Sequence, residues 1–396
     1  MKSISLIFLY NKFNRYSVNA LLGALNVDKS LSDIPVFLSQ NFKEISQKIK
    51  EKSGLKIVCV SFSTYFSEEI FKEIKKIKKN KNTVFLAGGP HPGACPKETL
   101  KEGFDYVFMS EGEKTFTDFI RFILSGKTPK DKIIIPKEKI NLDDYPSFSR
   151  KHLKFGPIEI TRGCPYACRF CQTSYFFGTA LRHRSIDNIL DQVTAMSKLG
   201  LNDIRFITPD ALSYGSNCKE IDMKAVENLL KSVRKELPKE GRIFFGTFPG
   251  EIRPEKISQQ SLDLIKKYCF NRRLAIGAQS ASDKILKSCG RGHTFKDIQN
   301  ALEICLKKGF TPIVDLIFGL PGEIEEDIEL NLKFVEKLSK NKCIVHTHYF
   351  MPLPGTPWSG KKPSLLPYKL KLKLKHMENE GIAFGKWEKD SRRLKS

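Results

Sequence analysis

The chain has 396 residues, of which 40% are hydrophobic and 28% are charged, and its formal net charge is +23. This length allows two or three domains, and the composition is that of an ordinary globular protein rather than a disordered or fibrous one. No apolar run approaches the roughly 20 residues of a membrane-spanning helix. The apolar opening MKSISLIFLY is too short for a signal peptide, so a cytoplasmic location is expected.

The positive charge is spread along the chain, in lysine-rich stretches such as FKEIKKIKKNKN (71–82) and KLKLKLKH (369–376). A strongly basic protein can bind nucleic acid or another polyanion. Solvated lysine-rich helix faces give the same net charge, and the chain has no RNA-binding signature of interleaved aromatic and basic residues. Nucleic acid is therefore left open as a partner but is not favoured.

Residues 1–135 alternate short β-rich runs with amphipathic helical ones. The predicted strands are SISLIFLY, DIPVFL, LKIVCVSF, NTVFLAGG and DYVFMS, and the predicted helices are NALLGALN, FKEISQKIKEKS, SEEIFKEIKKIKKN and EKTFTDFIRFILSG. This alternation predicts a parallel sheet with helices on both faces, which is a doubly wound domain of the flavodoxin or Rossmann type. Ligands of such domains bind at the carboxyl ends of the strands, where SFSTYFS (61–67), GGPHPGACP (88–96) and SEGEKTF (110–116) follow three of them.

Residues 136–156 are polar, with prolines nearby, and are interpreted as a linker. A second α/β series follows, with predicted strands PIEIT, DIRFI, RIFFGT, RLAIGA, IVDLIFG and IVHTHYF separated by amphipathic helices. Six β/α units in series predict a partial parallel barrel or an open parallel sheet, with functional residues at the carboxyl ends of the strands. The predicted barrel covers 157–358, and residues 359–396 are predicted to form a basic helix and tail.

Three of the ten cysteines lie in TRGCPYACRFCQ, directly after the first strand of this second series. Cys164, Cys168 and Cys171 have the spacing Cys-x3-Cys-x2-Cys, and the chain has no second Cys-x2-Cys pair. A structural zinc site and a fully protein-bound iron–sulfur cluster each take four protein ligands, so three thiolates indicate a metal centre with one open position. Zinc with a histidine as fourth ligand is the alternative, but His152 and His183 do not have zinc-finger spacing.

A Cys-x3-Cys-x2-Cys motif after the first strand of a six-unit β/α series resembles the radical S-adenosylmethionine (AdoMet) superfamily. The resemblance implies a [4Fe–4S] cluster held by the three cysteines, with the fourth iron left for the amino and carboxylate groups of AdoMet. It also implies reductive cleavage of AdoMet to a 5′-deoxyadenosyl radical, and hence a reducing partner such as ferredoxin or flavodoxin. The radical chemistry belongs to the cofactors, and the protein positions the substrate.

Further segments resemble the strand ends of the cobalamin-linked branch of this superfamily, among them FPGEIRPEKI, IGAQSASDKILKSCGRGHT, DLIFGLPGE and YFMPLPGTP. By this match the residues that face AdoMet are Phe170, Asp210, Glu251, Arg253, Gln279, Ser280, Ile317 and Gly319. Many relatives have a Gly-Gly-Glu segment whose glutamate contacts the AdoMet amino group; this chain has TPDAL there, so that role would pass to Asp210. Taken singly, Gly319 has an alternative interpretation as a turn residue and Gln279 as a helix cap.

The first domain resembles the cobalamin-binding domain of the same branch, through the runs AGGPHPGACP and MSEGEKTF. The resemblance implies a cobalamin site formed by Ser61, Ser63, Gly88, Gly89, Pro90, His91, Glu111 and Gly112. The signature Asp-x-His-x-x-Gly is absent, since Gly89 stands two residues before His91, so cobalt is expected to lack a protein histidine ligand. The alternative is a domain that no longer binds cobalamin and only shapes the substrate cleft.

The resemblance implies a cobalamin-dependent radical AdoMet enzyme, most often one that methylates an unactivated carbon. Cyclisation or rearrangement without methyl transfer also occurs in that branch. RNA modification such as methylthiolation is favoured by the basic charge, but the first domain lacks the second cysteine triad of methylthiotransferases with this layout. An iron–sulfur or cobalamin sensor without catalysis, or a methyl-accepting cysteine at Cys343, is less favoured. The sequence does not say whether the substrate is a peptide or protein side chain or a small molecule.

Overall fold

The structure is a computed structural model, and it describes residues 3–77, 81–217 and 219–393. Two compact units divide the chain, Met1–Pro157 and Ile158–Ser396. Both are built on parallel β-strands that alternate with helices along the chain.

The first unit is a doubly wound domain around a six-stranded parallel sheet with strand order β2-β1-β3-β4-β5-β6. The strands are β1 (Ile4–Leu9), β2 (Val36–Ser39), β3 (Leu55–Ser61), β4 (Thr83–Gly88), β5 (Tyr106–Phe108) and β6 (Ile133–Ile134). The helices are α1 (Arg15–Val27), α2 (Phe42–Glu51), α3 (Ser67–Lys76), α4 (Pro90–Ala94), α5 (Pro96–Lys101) and α6 (Glu113–Leu124). The five predicted strands occur, and β6 is an additional edge strand of two residues. The helix predicted over 67–80 ends at Lys76, and its residues 78–80 lie outside the described part.

The interior strand β1 is buried along its whole length, and its side chains reach two separate hydrophobic clusters. Leu6 and Phe8 pack in one cluster with residues of α1 and α6. Ile7 and Leu9 pack in the other with residues of α2 and α3. Because successive side chains of a strand point to opposite faces, a nearly continuous apolar run is what a sheet covered on both faces requires.

Residues 136–156, interpreted as a linker from their polar composition, fall within the first unit and contribute buried residues to it. Leu142 and Phe148 are buried in this segment. The Ile140 backbone N–H donates to the buried Glu111 carboxylate over 3.0 Å. The segment thus buries some of its few apolar residues and makes a polar contact with the domain, neither of which an average composition shows.

The second unit is a partial barrel of parallel strands. Its strands are β7 (Ile158–Glu159), β8 (Thr161–Arg162), β9 (Arg182–His183), β10 (Asp203–Ile207), β11 (Arg242–Phe244), β12 (Arg273–Gln279), β13 (Thr311–Phe318), β14 (Ile344–Tyr349) and β15 (Ala383–Gly385). Its helices are α7 (Thr173–Phe177), α8 (Ile186–Ser197), α9 (Met223–Glu236), α10 (Gln259–Tyr268), α11 (Asp283–Ser288), α12 (Phe295–Lys307), α13 (Glu325–Lys340), α14 (Tyr368–Asn379) and α15 (Trp387–Arg393).

The barrel strands form two parallel arcs, β7-β10-β11 and β12-β13-β14-β15. A parallel bridge between Ile252 and Ile276 joins the arcs, and the Ala275 N–H donates to the Gly246 carbonyl over 2.9 Å beside it. All six predicted strands occur in this order. The predicted fold class, a doubly wound domain followed by a partial (β/α)6 barrel, is confirmed.

The outer helices begin and face inward as their sequences predict. In α12, Thr294 and Asp297 form a capping box that satisfies free backbone N–H groups at the helix start. Four residues of this helix at the spacing of one helical face are buried: Ile298, Ala301, Leu302 and Cys305. The same pattern recurs in α9, where Asp222 caps the helix and Val226, Leu229 and Val233 are buried.

The C-terminal region differs from the predicted helix and loose tail. After α14 the chain turns back and adds β15 in parallel beside β14. A side chain at Gly385 would place its Cβ 2.1 Å from the Thr347 carbonyl oxygen, so glycine lets the two backbones approach. Trp387 is buried, and its indole N–H donates to the Glu378 carboxylate over 2.9 Å. The final residues 394–396 lie outside the described part.

Candidate active site

The three motif cysteines lie in one loop that is tied at its base by the antiparallel pair β8–β9. Gly163 begins the loop with φ +91°, and a Cβ there would lie 2.1 Å from the Ala180 carbonyl oxygen. Only glycine has both this backbone conformation and this close approach at no cost. The loop therefore leaves β8 sharply, and this sets the position of Cys164 at its start.

A short helix, α7, holds the interior of the loop. The Ser174 hydroxyl donates to the Cys164 carbonyl over 2.7 Å and accepts from the Ala167 N–H over 3.2 Å. The Cys171 N–H donates to the Cys168 carbonyl over 3.0 Å. These bonds fix the backbone between the cysteines before any metal is bound.

The thiols of this loop suit a multi-iron cluster better than a single ion. Cys164, Cys168 and Cys171 are free, and their sulfurs, all in the described part of the chain, do not form a set whose atoms lie within 4.8 Å of one another. Two sulfurs on one zinc, with bonds of about 2.3 Å, lie at most about 4.6 Å apart. Burial raises the pKa of the Cys164 and Cys171 thiols, so binding of a cluster, which takes thiolates, releases protons.

Arg291 is a residue of this centre that the sequence reasoning missed. Its buried guanidinium lies with Nη1 3.6 Å from the Cys168 sulfur and donates through Nη2 to the Gly277 carbonyl over 2.6 Å. Hydrogen bonds to cluster sulfurs are one of the factors that set the reduction potential of iron–sulfur centres. The sequence clue to Arg291 was its position between two glycines in a stretch already matched to the family. In the structure both glycines, Gly290 and Gly292, have positive φ.

Phe170 and Ile317 are brought together on one apolar cluster. Both pack against buried residues contributed by α11, the loop after β13 and the segment after β14: Ile285, Cys289, Leu320, Phe350 and Trp358. Phe170 is only partly buried, and it lies in the cysteine loop. The two residues thus form an apolar surface next to the cysteines, as a site for the adenine of AdoMet requires.

Gln279 lies at a bulge where β12 loses its regular pairing with β13. Its φ is +76°, a left-handed conformation that is costly for a residue with a side chain and that occurs at functional sites. Ser280, by contrast, has no exposed surface, and its hydroxyl contacts Asn331 and the Ser282 N–H. Ser280 therefore organises the loop. Its buried side chain offers no surface for the predicted contact with AdoMet.

Asp210 has internal partners in this structure. Its Oδ2 forms a 2.9 Å ion pair with the Lys256 ammonium, and the two side chains are each only 3% exposed. Ser213 donates to the same oxygen over 2.6 Å, and the Arg253 N–H donates to Oδ1 over 3.3 Å. The predicted contact between Asp210 and the AdoMet amino group would compete with a buried ion pair.

Arg253 connects the cysteine loop with the loop that carries Arg291. Its guanidinium carbon lies 3.4 Å from the centre of the Tyr166 ring, and its Nε donates to Glu255 over 2.5 Å. Its Nη2 donates to the Arg291 carbonyl. The same glutamate faces His293, and although burial alone would raise its pKa, the His293 and Arg253 contacts lower the pKa of Glu255 to about 2. These contacts assign Arg253 a positioning role.

Glu251 and Gly319 complete the predicted set. Burial, and then the charge of Asp315, raise the pKa of Glu251 to about 7. Gly319 has φ +75°, and a Cβ there would meet the Tyr349 ring at 2.4 Å. Its N–H donates to the buried Glu323 carboxylate over 2.9 Å, which fixes the FGLPGE turn.

In the first unit, a small cleft of about 150 Å³ lies at the carboxyl ends of β1 and β3. In the observed strand order these two neighbours are the topological switch point of the sheet, where doubly wound domains bind ligands. Ser61 and Ser63 line the cleft together with Phe13, Asn14 and Phe66. The strand order thus brings two of the predicted cobalamin residues to the expected end of the sheet.

The other predicted cobalamin residues have mostly internal contacts. Gly89 has φ +96°, and a Cβ there would collide with the backbone of Phe62, so this glycine serves the packing of two neighbouring loops. His91 is buried against the Phe62 ring, and its Nδ1 is 3.2 Å from the Thr64 hydroxyl. Burial lowers the pKa of His91.

Gly88 and Pro90 flank this tight loop. A Cβ at Gly88 would meet its nearest atom at 3.9 Å, which leaves room for a ligand, and Pro90 is the first residue of α4. Glu111 is turned inward to the Ile140 N–H, and Gly112 packs on Leu21. The cleft with its two serines and the open face of Gly88 lie at the carboxyl ends of neighbouring strands, where such a domain binds its ligand, whereas the His91 imidazole is buried in internal contacts.

A parallel barrel with three free thiols in one loop, preceded by a doubly wound domain with a cleft at its switch point, defines a two-domain iron–sulfur enzyme. The family models agree with this class. Residues 158–335 match the radical SAM superfamily, and residues 14–120 match the B12 binding domain. The chain belongs to the radical SAM superfamily, in the branch that carries a B12-binding domain, and is a cobalamin-dependent radical AdoMet enzyme. Its predicted cofactors, a [4Fe–4S] cluster, AdoMet and cobalamin, are those that these two domains imply.

Similar proteins carry different activities in their names. The chain is 25% identical over 347 residues to an uncharacterized methyltransferase of Pyrococcus horikoshii. This alignment covers 80% of this chain and 71% of that protein. It is 28% identical over 309 residues to a putative methylthiotransferase of Methanocaldococcus jannaschii, which covers 73% of this chain and 67% of that protein.

A solved structure shares the fold of both units. The radical AdoMet methyltransferase TsrM of Kitasatospora setae, with cobalamin and a [4Fe–4S] cluster bound, has a TM-score of 0.67 at 17% identity and covers 90% of this chain and 77% of its own. At this identity the likeness concerns the fold. Within the described residues, no helix of this chain is both long and apolar enough to cross a membrane.

Proposed function

We propose that this protein is a cobalamin-dependent radical AdoMet methyltransferase that methylates an unactivated carbon of a small-molecule substrate. The observation that carries the proposal is the presence, in one chain, of the three-cysteine barrel loop and of a cobalamin-type domain with a cleft at its switch point. Two neighbours support it. The TsrM structure is that of a methyltransferase, and a second TsrM structure contains tryptophan as substrate.

The bound cofactors supply the radical and methyl-transfer chemistry, and the chain supplies their surroundings. Cys164, Cys168 and Cys171 hold the cluster, and Arg291 directs an N–H group at one of its sulfur ligands. Phe170 and Ile317 provide an apolar surface for the adenine. An apolar wall of this kind would help to exclude water from the reacting groups.

Methylthiolation of RNA is the second candidate, because curated relatives of this chain include tRNA methylthiotransferases. The first unit argues against it. Its only cysteines are Cys59, which lies inside β3, and Cys95, which precedes α5. Burial raises the pKa of both thiols. Two separated, protonated thiols do not provide a second cluster site of the kind that methylthiotransferases with this layout carry.

The test uses the full chain, reconstituted with iron and sulfide under anaerobic conditions and supplied with AdoMet and a low-potential reductant. Products are measured with and without cobalamin. We expect 5′-deoxyadenosine in both samples, and S-adenosylhomocysteine only when cobalamin is present, because cobalamin supplies the methyl-transfer route. The Cys164→Ala variant loses both products, whereas Cys269→Ala, which changes a cysteine outside the motif, keeps them.

Each other outcome identifies a different function. S-adenosylhomocysteine that forms equally without cobalamin contradicts the proposal and supports methylthiolation. Formation of 5′-deoxyadenosine without S-adenosylhomocysteine supports cyclisation or rearrangement without methyl transfer. A protein with a filled cluster that never cleaves AdoMet is a sensor.

A further inference from the structure

Three potential metal ligands, none of them a motif cysteine, meet on two neighbouring strands of the barrel. Asp315 lies on β13 and is directly opposite His346 in the parallel pairing of β13 with β14. His346 and His348 are two residues apart on β14, so their side chains lie on the same face of the strand. The register of the two strands therefore brings one carboxylate and two imidazoles to one side of the sheet.

The donor atoms lie close enough together to become ligands of one ion. The His346 Nδ1 is 2.5 Å and the His348 Nε2 is 3.5 Å from the Asp315 Oδ1. All three donors lie within 4.8 Å of one another. An ion bound at about 2.0–2.2 Å from nitrogen and oxygen ligands holds them roughly 3–3.5 Å apart, so the contact between His346 and Asp315 has to open by about 0.5–1 Å.

A second observation also indicates a ligand here. The Asp315 side chain is 3% exposed, yet its Oδ2 has no hydrogen-bond partner within the described part of the chain. A buried carboxylate oxygen without a partner is costly, and a cation is what relieves it. The histidines are more open, with side chains 27% and 41% exposed, so the group is accessible from the barrel interior.

The surroundings hold the group in place. The His346 ring stacks on Phe384 of β15 with ring centres 4.4 Å apart and planes at 12°. The two histidine rings lie 4.2 Å apart. Burial alone would raise the pKa of Asp315, but hydrogen bonds from the two histidines lower it, so the carboxylate is ionised at neutral pH. The nearby Glu251 adds a second carboxyl group to the same interior.

We propose that Asp315, His346 and His348 form a binding site for a divalent transition-metal ion, Zn²⁺ or Fe²⁺, separate from the iron–sulfur cluster. Two imidazoles and one carboxylate are the ligand set of open zinc and non-haem iron sites. Three protein ligands leave coordination positions for oxygen or nitrogen atoms of a substrate. The site concerns residues that the AdoMet assignments do not use, and it does not depend on methyl transfer.

The experiment measures zinc binding to the full chain after its cluster has been reconstituted, so that the motif cysteines are occupied. Zinc is added in competition with a chromophoric chelator, and bound metal is counted by mass spectrometry after desalting. We expect one zinc per wild-type chain. His346→Ala and His348→Ala should weaken binding roughly 100-fold or more, since even loss of a residue that merely orients a ligand weakens metal binding about 10–100-fold.

His376→Ala is the matched control, because His376 also faces a carboxylate, Glu380 at 3.3 Å, but on the exposed surface of α14. It should leave the zinc stoichiometry unchanged. Asp315→Asn keeps the shape of the buried group and removes its charge, so it tests the site if a histidine variant does not fold. Iron content and melting temperature show whether each variant is folded and carries its cluster.

No zinc bound by the cluster-loaded wild type overturns the proposal, as does zinc that binds equally to the histidine variants and to Asp315→Asn. Loss of zinc in these variants, with iron content unchanged, supports it. Formation of S-adenosylhomocysteine is scored separately, so failure of the metal site and failure of the proposed methyl transfer are distinguishable.

Discussion

The buried ion pair between Asp210 and Lys256 allows a quantitative test of how the barrel is stabilised. Both side chains are 3% exposed, and the Lys256 ammonium contacts the carboxylate at 2.9 Å and the Ser213 hydroxyl at 2.6 Å. Replacing Lys256 with methionine keeps most of the volume but leaves a buried, unpaired carboxylate. Removing one partner of a buried pair costs about 3–5 kcal/mol in the free energy of unfolding.

The loss should be visible as a melting shift of the second unit. For a domain of this size 1 kcal/mol corresponds to roughly 2–4 °C, so we expect the melting temperature to fall by about 6–20 °C in Lys256→Met. The assay is differential scanning calorimetry of the full chain, in which the transition of the second unit is followed. Lys267→Met is the control, because its pair with Glu227 at 3.1 Å is exposed and should be worth less than about 1 kcal/mol.

The double variant Asp210→Asn/Lys256→Met tests the reasoning itself. If the cost arises from the uncompensated charge, removing both charges restores part of the stability, and the double variant is less destabilised than the sum of the single variants by roughly 2–3 kcal/mol. Strictly additive single effects, or a Lys256→Met variant as stable as the exposed control, would refute the assignment of a buried, interacting pair.

Three further variants test the site. Gly163→Ala should strongly reduce the iron and sulfide bound per chain, because the added Cβ would meet the Ala180 carbonyl oxygen at 2.1 Å. Gly126→Ala is the control: Gly126 has a similar φ of +78°, but no atom lies within 4 Å of the added Cβ, so this variant should keep the cluster. Arg291→Met should shift the cluster potential to more negative values in an EPR-monitored titration, because a buried cation beside Cys168 is lost; an unchanged potential contradicts the 3.6 Å contact. Burial raises the pKa of Glu323 to about 8. The folded state therefore holds a proton that the unfolded state releases above pH 4.5, the ordinary pKa of this group. The free energy of unfolding should consequently fall as the pH rises from about 4.5 to 8. Glu323→Gln should flatten this decline in urea denaturation, and an identical slope in both proteins would show that the carboxyl is ordinary.

Much of the architecture was predictable because strands and helices follow from the local periodicity of hydrophobic residues. The apolar run of β1 and the capped, amphipathic α12 are recognisable from a few adjacent residues. The cysteine spacing is equally local, and it identified the cluster loop without any knowledge of the fold. Segments whose structure depends on distant partners were predicted less well. Residues 136–156 have few apolar side chains, yet they fold onto the first unit. One contact that holds them there is the hydrogen bond from the Ile140 backbone N–H to the Glu111 carboxylate.

The order of the two domains and most of their strands follow from the sequence alone, because hydrophobic period requires no tertiary information, and the cysteine spacing predicts three ligands of a cluster in the same way. The contacts of the polar residues, by contrast, could be known only from the folded chain. Asp210 pairs with Lys256, although they lie far apart in the chain, and Arg291 reaches Cys168 across the barrel. The Asp315–His346 contact exists because β13 and β14 pair in one particular register, and a shift by one residue would turn the histidines to the other face.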